Sequence, residues 1–340
     1  MEKMPEDSKK VPFLKVEDLK MYFPVRKGLL QKTVAHVKAV DGISFEIEEG
    51  KTFGLVGESG CGKTTAGRCI LRMYEPTDGK VMYRGRDITH LTPAQIRPFR
   101  HEIQIIFQDP YGSLDPRQSI GSIILEAIVA SGRKDVLPKE RKAKVDELLT
   151  LVGLDPIMRS RYPHELSGGQ RQRVGIARAL ACNPKLIICD EPVSALDVSI
   201  QAQVINLFED LQKKLGLTYV FIAHDLAVVR HISDDVGVMY LGKLVEVTSS
   251  EELYRNPLHP YTNALLSAIP IADYEVEKTR QRIVLENEIP SPIDPPKGCP
   301  FHPRCKYATE TCKQTMPELE PYSEGHKVAC HNLRTILNQE

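Results

Sequence analysis

The sequence predicts an α/β protein with a mostly parallel core sheet, and three observations lead there. A glycine-rich stretch, Gly57-Glu58-Ser59-Gly60-Cys61-Gly62-Lys63-Thr64-Thr65, stands between an apolar run at 52–56 and a helix-forming segment at 64–71. Two later runs, Leu186-Ile187-Ile188-Cys189 and Thr218-Tyr219-Val220-Phe221-Ile222-Ala223, are apolar without a break, as strands buried on both faces must be. Both stop at titratable residues, Asp190-Glu191 and His224-Asp225, which puts chemistry at the carboxyl ends of strands.

Bulk properties narrow the class. The 340 residues allow one large domain with an extension, or two domains. Lys+Arg and Asp+Glu balance at 45 each, so there is no basic field of the kind that holds nucleic acid. Hydrophobic content of 41% and charged content of 26% describe an ordinary globular chain. No apolar run approaches the ~18 residues of a membrane span. The start, Met1 to Ser8, lacks the apolar core of a signal peptide. A cytosolic chain is expected, with any membrane association coming through partners.

Taken in order, residues 1–11 are predicted to be a disordered tail. Phe13 to Leu19 and Val37 to Ile47 alternate as strands do, and Glu49-Gly50 supplies a turn. Between them, Tyr22 and Phe23 either stack on a purine face or fill the core. The glycine-rich stretch fits G-x-x-x-x-G-K-[ST] between strand and helix, where free backbone N–H groups and the helix dipole favour phosphate. In that pattern Lys63 reaches the β- and γ-phosphates and the Thr64 hydroxyl ligates Mg²⁺. The stretch therefore implies a bound nucleoside triphosphate.

Further on, Gly79 to Gly85 reads as a hairpin strand, and Ile103 to Phe107 as a buried strand ending at Gln108. Helices are predicted at 120–130 and, with Val145, Leu148, Leu149 and Val152 on one face, at 141–153. In Leu166-Ser167-Gly168-Gly169-Gln170, Ser167 and Gln170 form a capping-box pattern, and the paired glycines leave the helix end open to a second anion. Asp190 is placed to hold Mg²⁺ and Glu191 to polarise the attacking water. A turn from Ser194 to Asp197 precedes a helix at 201–215, and His224 ends a strand expected beside that of Asp190, within reach of the γ-phosphate.

In this order, the motifs resemble those of the nucleotide-binding subunits of ABC transporters over roughly residues 12–250: Walker A at 57–65, Q-loop Gln108, signature 166–170, Walker B 186–190 with Glu191, D-loop Asp197 and switch His224. Phe107 to Arg117 and Asn256 to Thr262 are similar to the oligopeptide/dipeptide importer ATPases, the first closer to their F-type than their D-type subunit. The resemblance implies a P-loop NTPase fold of the ABC type. Its mostly parallel core sheet would carry an antiparallel β subdomain, a helical signature subdomain at about 109–182 and a C-terminal extension from 251 to 340. It also implies Phe23, or else Tyr22, against adenine, and Ser59, Gly60, Cys61, Gly62, Lys63, Thr64 and Thr65 around the phosphates. Mg²⁺ would sit on Thr64, Gln108 and Asp190, with Glu191, His224 and Gln108 as the catalytic set. Ser167, Gly168, Gly169, Gln170 and Asp197 would serve a nucleotide shared head to tail with a second, homologous ATPase subunit. Two transmembrane permease subunits and, indirectly, an extracytoplasmic solute-binding protein complete such an importer at the cytoplasmic face of the membrane. A soluble ABC ATPase acting on nucleic acid or ribosomes is the alternative, but the single Walker A, the absence of a heptad insertion and the zero net charge speak against it.

Cysteines divide into two sets. Cys61, Cys69, Cys182 and Cys189 are read as free thiols. Cys299, Cys305, Cys312 and Cys330 follow a proline-rich stretch with the spacing C-x5-C-x6-C-x17-C. Hairpin pairs of the structural-zinc kind are absent, whereas an all-cysteine iron–sulfur cluster tolerates looser spacing. Members of the resembled importer family carry a [4Fe-4S] cluster on similar cysteines, so that cluster is expected. Zn²⁺ is the alternative, with His302 and His326 as further ligands.

Overall fold

The computed structural model describes residues 11–28, 31–269 and 282–337, so the tail expected at 1–11 lies outside the described residues except for its last position. β1 (Leu14–Lys27) and β2 (Lys32–Ile47) form a long antiparallel hairpin, joined by β4 (Asp78–Tyr83) and β5 (Arg86–Asp87) in the order β2-β1-β4-β5. The hairpin outruns the alternation that predicts it. Beyond Met21 its residues are half-buried or exposed on both faces, Pro24 stands opposite His36, and bulges interrupt the register.

The larger sheet is the functional scaffold. β3 (Thr52–Val56) lies between β9 (Asp235–Tyr240) and β8 (Thr218–Ala223), followed outward by β7 (Leu186–Asp190) and β6 (Ile103–Ile106), all parallel. Every residue of β3, β7 and β8 is buried, the burden that their unbroken apolar runs foretell. β10 (Lys243–Ser249) adds antiparallel to β9. The edge is then extended by the hairpin β11 (Glu320–Ser323) and β12 (His326–Val328), with Glu246 opposite Val328. The C-terminal extension thus continues the core sheet.

Helices cover this sheet. α1 (Lys63–Ile70) follows β3 directly. Two short helices, α2 (Pro93–Ile96) and α3 (Phe99–Glu102), precede β6. α4 (Ile120–Ala130), α5 (Arg141–Leu151) and α6 (Gly168–Leu180) pack through Ile124, Leu149 and Val174, as the predicted apolar faces require. α7 (Val198–Leu215) starts three residues before the predicted 201, because Asp197 already occupies its N-cap. The remaining helices are α8 (Leu226–Ile232), α9 (Ser250–Arg255), α10 (Pro260–Ser267), α11 (Glu310–Gln314) and α12 (Leu333–Leu337). Among the described residues no helix is long and apolar enough to cross a membrane.

Candidate active site

Topology brings the catalytic candidates together. The parallel order β3-β8-β7-β6 lines up four carboxyl ends on one edge, where the chain carries the glycine-rich loop, His224, Asp190-Glu191 and Gln108. Since β7 lies between β8 and β6, Glu191 is flanked by His224 on one side and Gln108 on the other. The contacts agree: Gln108 Nε2 donates to Glu191 Oε2 at 2.8 Å, and His224 Nδ1 lies 3.2 Å from the same oxygen. Glu191 also has φ of +46°, a left-handed conformation that costs a side-chain-bearing residue roughly 1–3 kcal/mol and so must be imposed by its surroundings. Its own N–H is fixed on Ile222 O of β8 at 3.0 Å. Nothing in the sequence announces that strain.

The loop is built for an anion. Gly62, N-cap of α1, has φ of +108°, and a Cβ there would stand 2.0 Å from Ala39 O. A Cβ on Gly57 would lie 2.1 Å from Met239 O. Lys63 Nζ donates to Gly57 O at 2.7 Å, to Glu58 O at 3.0 Å and to Cys61 Sγ at 3.7 Å, so all three of its contacts lie within the loop. Thr64 Oγ1 donates to Asp190 Oδ1 at 2.7 Å, uniting two of the three expected magnesium ligands, while Gln108 bonds to Glu191. Asp190 is 2% exposed. Burial raises its carboxyl above the ordinary value while the Thr64 hydroxyl and the Arg68 and Lys63 cations pull it back, so a divalent cation would find an ill-compensated anion there. These groups suit a magnesium–triphosphate. Ser59 and Gly60 are exposed at the loop tip, Cys61 is buried, and Thr65 is half-buried on α1.

The other candidates lie apart from this cluster in bonding. Ser167 caps α6: its Oγ accepts from Gln170 N at 3.3 Å, and Gln170 Oε1 accepts from Ser167 N at 3.0 Å. That oxygen accepts, which leaves the hydroxyl proton to be given. Gly168 is exposed. Gly169 has a packing reason that the sequence reading did not consider, because a Cβ there would stand 2.5 Å from Ile200 Cγ2. Asp197 is exposed at the start of α7. Of the two aromatics, Tyr22 donates its hydroxyl to Asp41, whereas Phe23 packs edge-on against Tyr74 at 5.4 Å.

At the far end of the chain, Cys299 and Cys312 are joined through the backbone, Cys299 N donating to Cys312 O at 2.8 Å. Burial first, then Cys312, Cys305 and Cys330, pushes Cys299 up to about 12, and burial raises Cys330 to about 11. Yet among the described residues no group of three or more His, Cys, Asp or Glu side chains is disposed to hold a metal ion. Side-chain geometry therefore lends no support to the expected [4Fe-4S] cluster or to Zn²⁺. The histidines named for zinc are committed elsewhere: His326 Nε2 lies 2.8 Å from buried Glu246, and His302 Nδ1 lies 2.8 Å from Cys299 O. Sequence reasoning missed two neighbours of the loop, Tyr261 and Arg304, which meet Glu58. The one signal was an acid inside an anion-binding loop.

The family model for ABC transporter matches residues 40–194, and that for the oligopeptide/dipeptide transporter C-terminal region matches residues 245–312. The oligopeptide transport ATP-binding protein AppF of Bacillus subtilis is 57% identical, over 94% of this chain and 96% of that protein. OppF of Escherichia coli, also an oligopeptide transport ATP-binding protein, is 51% identical over 93% and 95%. The dipeptide transport ATP-binding protein DppF of Haemophilus influenzae is 49% identical over 96% and 99%. Among solved structures, a dimeric ATP-binding cassette in a post-hydrolysis state with ADP and Pi aligns with a TM-score of 0.62 at 26% identity, over 70% of this chain and 98% of that one. CbiO1 of Clostridium perfringens aligns at 0.61 and 27% identity, over 72% and 91%.

Proposed function

The chain belongs to the ATP-binding proteins of ABC transporters, in their oligopeptide/dipeptide branch, and from that premise we propose that it hydrolyses ATP to power the import of peptides. The observation that carries the reading is the Glu191 carboxylate held between Gln108 and His224, beside the Asp190–Thr64 pair. In this reading Lys63 turns from the loop carbonyls to the β- and γ-phosphates, and Ser59 to Thr65 offer their N–H groups around them. Thr64, Asp190 and the Gln108 amide oxygen would hold Mg²⁺, which would supply positive charge beside the phosphate oxygens. Glu191 orients the attacking water and takes its proton, while His224 holds the carboxylate and meets the γ-phosphate. Phe23 is the side chain proposed for adenine.

Partners follow from the same reading. The exposed Ser167 end of α6, with its N–H groups and hydroxyl proton, would complete the site of a second ATPase subunit, Asp197 lying near that contact. Permease subunits would dock near Gln108, a solute-binding protein would deliver the peptide outside, and the chain would work at the cytoplasmic face. The relatives' names and the balanced charge favour import over action on nucleic acid. Reconstitution with the membrane subunits tests the proposal: Glu191→Gln is expected to bind ATP yet lose both hydrolysis and ATP-dependent peptide uptake. Unchanged uptake would refute it.

The cysteine end stands outside this mechanism. A [4Fe-4S] cluster on Cys299, Cys305, Cys312 and Cys330 is part of this proposal, and its support is the donor set alone, four cysteines in the C-terminal extension. Anaerobically purified protein is then expected to contain about four irons and four sulfides per chain. Metal-free protein would overturn that proposal and leave the ATPase reading standing.

A further inference from the structure

Glu58 is an odd residue for its place. It is the second residue of a loop that receives a polyanion, and G-x-x-x-x-G-K-[ST] asks for no acid there. An unpaired carboxylate so close to a triphosphate would repel it. In the fold it is held on three sides. Its carbonyl accepts from Lys63 at 3.0 Å, its N–H donates to Tyr261 Oη at 2.8 Å, and its carboxylate takes both Nη atoms of Arg304 at 2.7 and 3.1 Å. The Arg304 side chain is 6% exposed and that of Glu58 26%, so this is a bidentate and partly buried pair.

Both distant partners come from the C-terminal extension, 203 and 246 residues away along the chain. Their positions share one cause. Phe301 inserts its ring between those of Tyr240, Tyr261 and His259, at 5.3, 5.4 and 5.6 Å. The single turn His302–Arg304 follows at once, with Arg304 N donating to Phe301 O and its guanidinium 6.0 Å over the Tyr240 ring. The aromatic cluster therefore fixes the phenol that holds the loop's backbone and the cation that neutralises its side chain.

We propose that Tyr261 and Arg304 are positioning residues of the phosphate loop, through which the extension sets the loop's conformation and cancels the Glu58 charge beside the triphosphate. This rests on the reading of the loop as an ATP site. Without Arg304, Glu58 loses its buried counter-charge and becomes a free anion at the mouth of an anion site.

The test is ATP affinity of the full-length isolated chain, measured with a fluorescent ATP analogue at low and high salt, with thermal unfolding alongside. Arg304→Ala is expected to weaken binding about tenfold at low salt, equivalent to about 1.4 kcal/mol, and by less at high salt. Adding Glu58→Gln to it is expected to restore affinity to within about twofold of wild type, a rescue that a purely architectural role for Arg304 does not provide. Arg304→Gln removes the charge but keeps a polar amide and the aliphatic stem, so it gives the same answer should the alanine variant fail to fold. Tyr261→Phe, which strips the acceptor from Glu58 N–H, is expected to weaken binding with little salt dependence. Wild-type affinity in both Arg304 variants, or no rescue by Glu58→Gln, would overturn the proposal. Failure of the wild-type chain to bind ATP would instead overturn the ATP reading, which keeps the two failures distinct.

Discussion

Acid is expected to loosen the element that carries Tyr261, through His259. This histidine is 2% exposed, and its Nδ1 caps α10 by accepting from Tyr261 N at 3.1 Å, which only an imidazole unprotonated at that nitrogen can do. Burial lowers its pKa from 6.5 to about 4, against an opposing pull from Glu246. Between those two values the unfolded chain binds more protons than the folded one. The stabilisation is therefore fully present above pH 6.5 and is lost as pH falls toward 4. At 1.36 kcal/mol per unit, the full loss is about 3 kcal/mol, of which about 2 kcal/mol is gone by pH 5. Urea unfolding of the full chain from pH 8 to pH 5 is the assay, with His259→Asn as comparison. Asparagine carries an acceptor where Nδ1 stands and does not titrate, so the variant can still cap α10. Wild type is expected to lose about 2 kcal/mol more than the variant over that range. Parallel curves for the two proteins would refute the assignment of this pH dependence to His259.

Three further outcomes are expected. Lys63→Ala should abolish nucleotide binding by the isolated chain, measured by fluorescence of a bound ATP analogue, because the loop's only ammonium is removed. Gly62→Ala puts a Cβ 2.0 Å from Ala39 O at φ of +108°, so equilibrium unfolding should show a loss of at least 2 kcal/mol, together with weakened ATP binding. Ser167→Arg should leave the isolated chain's ATP affinity unchanged while hydrolysis by the assembled transporter falls by orders of magnitude. Loss of binding in the isolated chain with hydrolysis intact would mean that Ser167 acts within its own chain.

What could be read in the sequence was whatever a local pattern encodes. The buried strands β7 and β8, the strand–loop–helix around Gly57 to Thr65 and the Ser167–Gln170 capping box each occupy a few consecutive residues, and their chemistry depends on that spacing. Placing His224 beside Glu191 needed only the assumption that two apolar strands pair in parallel, and β7 and β8 do. Pairings over long separations left no such trace. All four residues of β11 are exposed, so no periodicity marks it as a strand of the core sheet. The Glu58–Arg304 pair joins residues 246 apart, and although an acid in the anion-binding loop hints at a counter-charge, nothing local to Glu58 names Arg304 as its source. The loop glycines were legible as turn formers, but Gly169 answers to Ile200, a contact between helices that a linear pattern does not contain.

The extension follows a single logic once its long-range contacts are set side by side. Glu246 on β10 is fully buried and takes three partners, Leu258 N–H, His259 N–H and His326 Nε2, at 2.8, 2.9 and 2.8 Å. One carboxylate thus ties β10 of the core sheet to the start of α10 and to β12, which lies between Cys312 and Cys330. A buried carboxylate needs such bonds, so displacing any one of the three elements leaves part of Glu246 without a partner. His259, placed by that knot, caps the helix whose Tyr261 holds the phosphate loop from behind. Phe301 closes against the same histidine and tyrosine and delivers Arg304 to Glu58. The path from Glu246 to Glu58 consists of packed rings and of hydrogen bonds that are buried at Glu246 and His259 and partly buried at Glu58, and it meets the loop at the residue next to Gly57, where β3 gives way to the site. A change in how the extension packs has therefore a short route to the phosphate loop, and Glu58 is where it arrives.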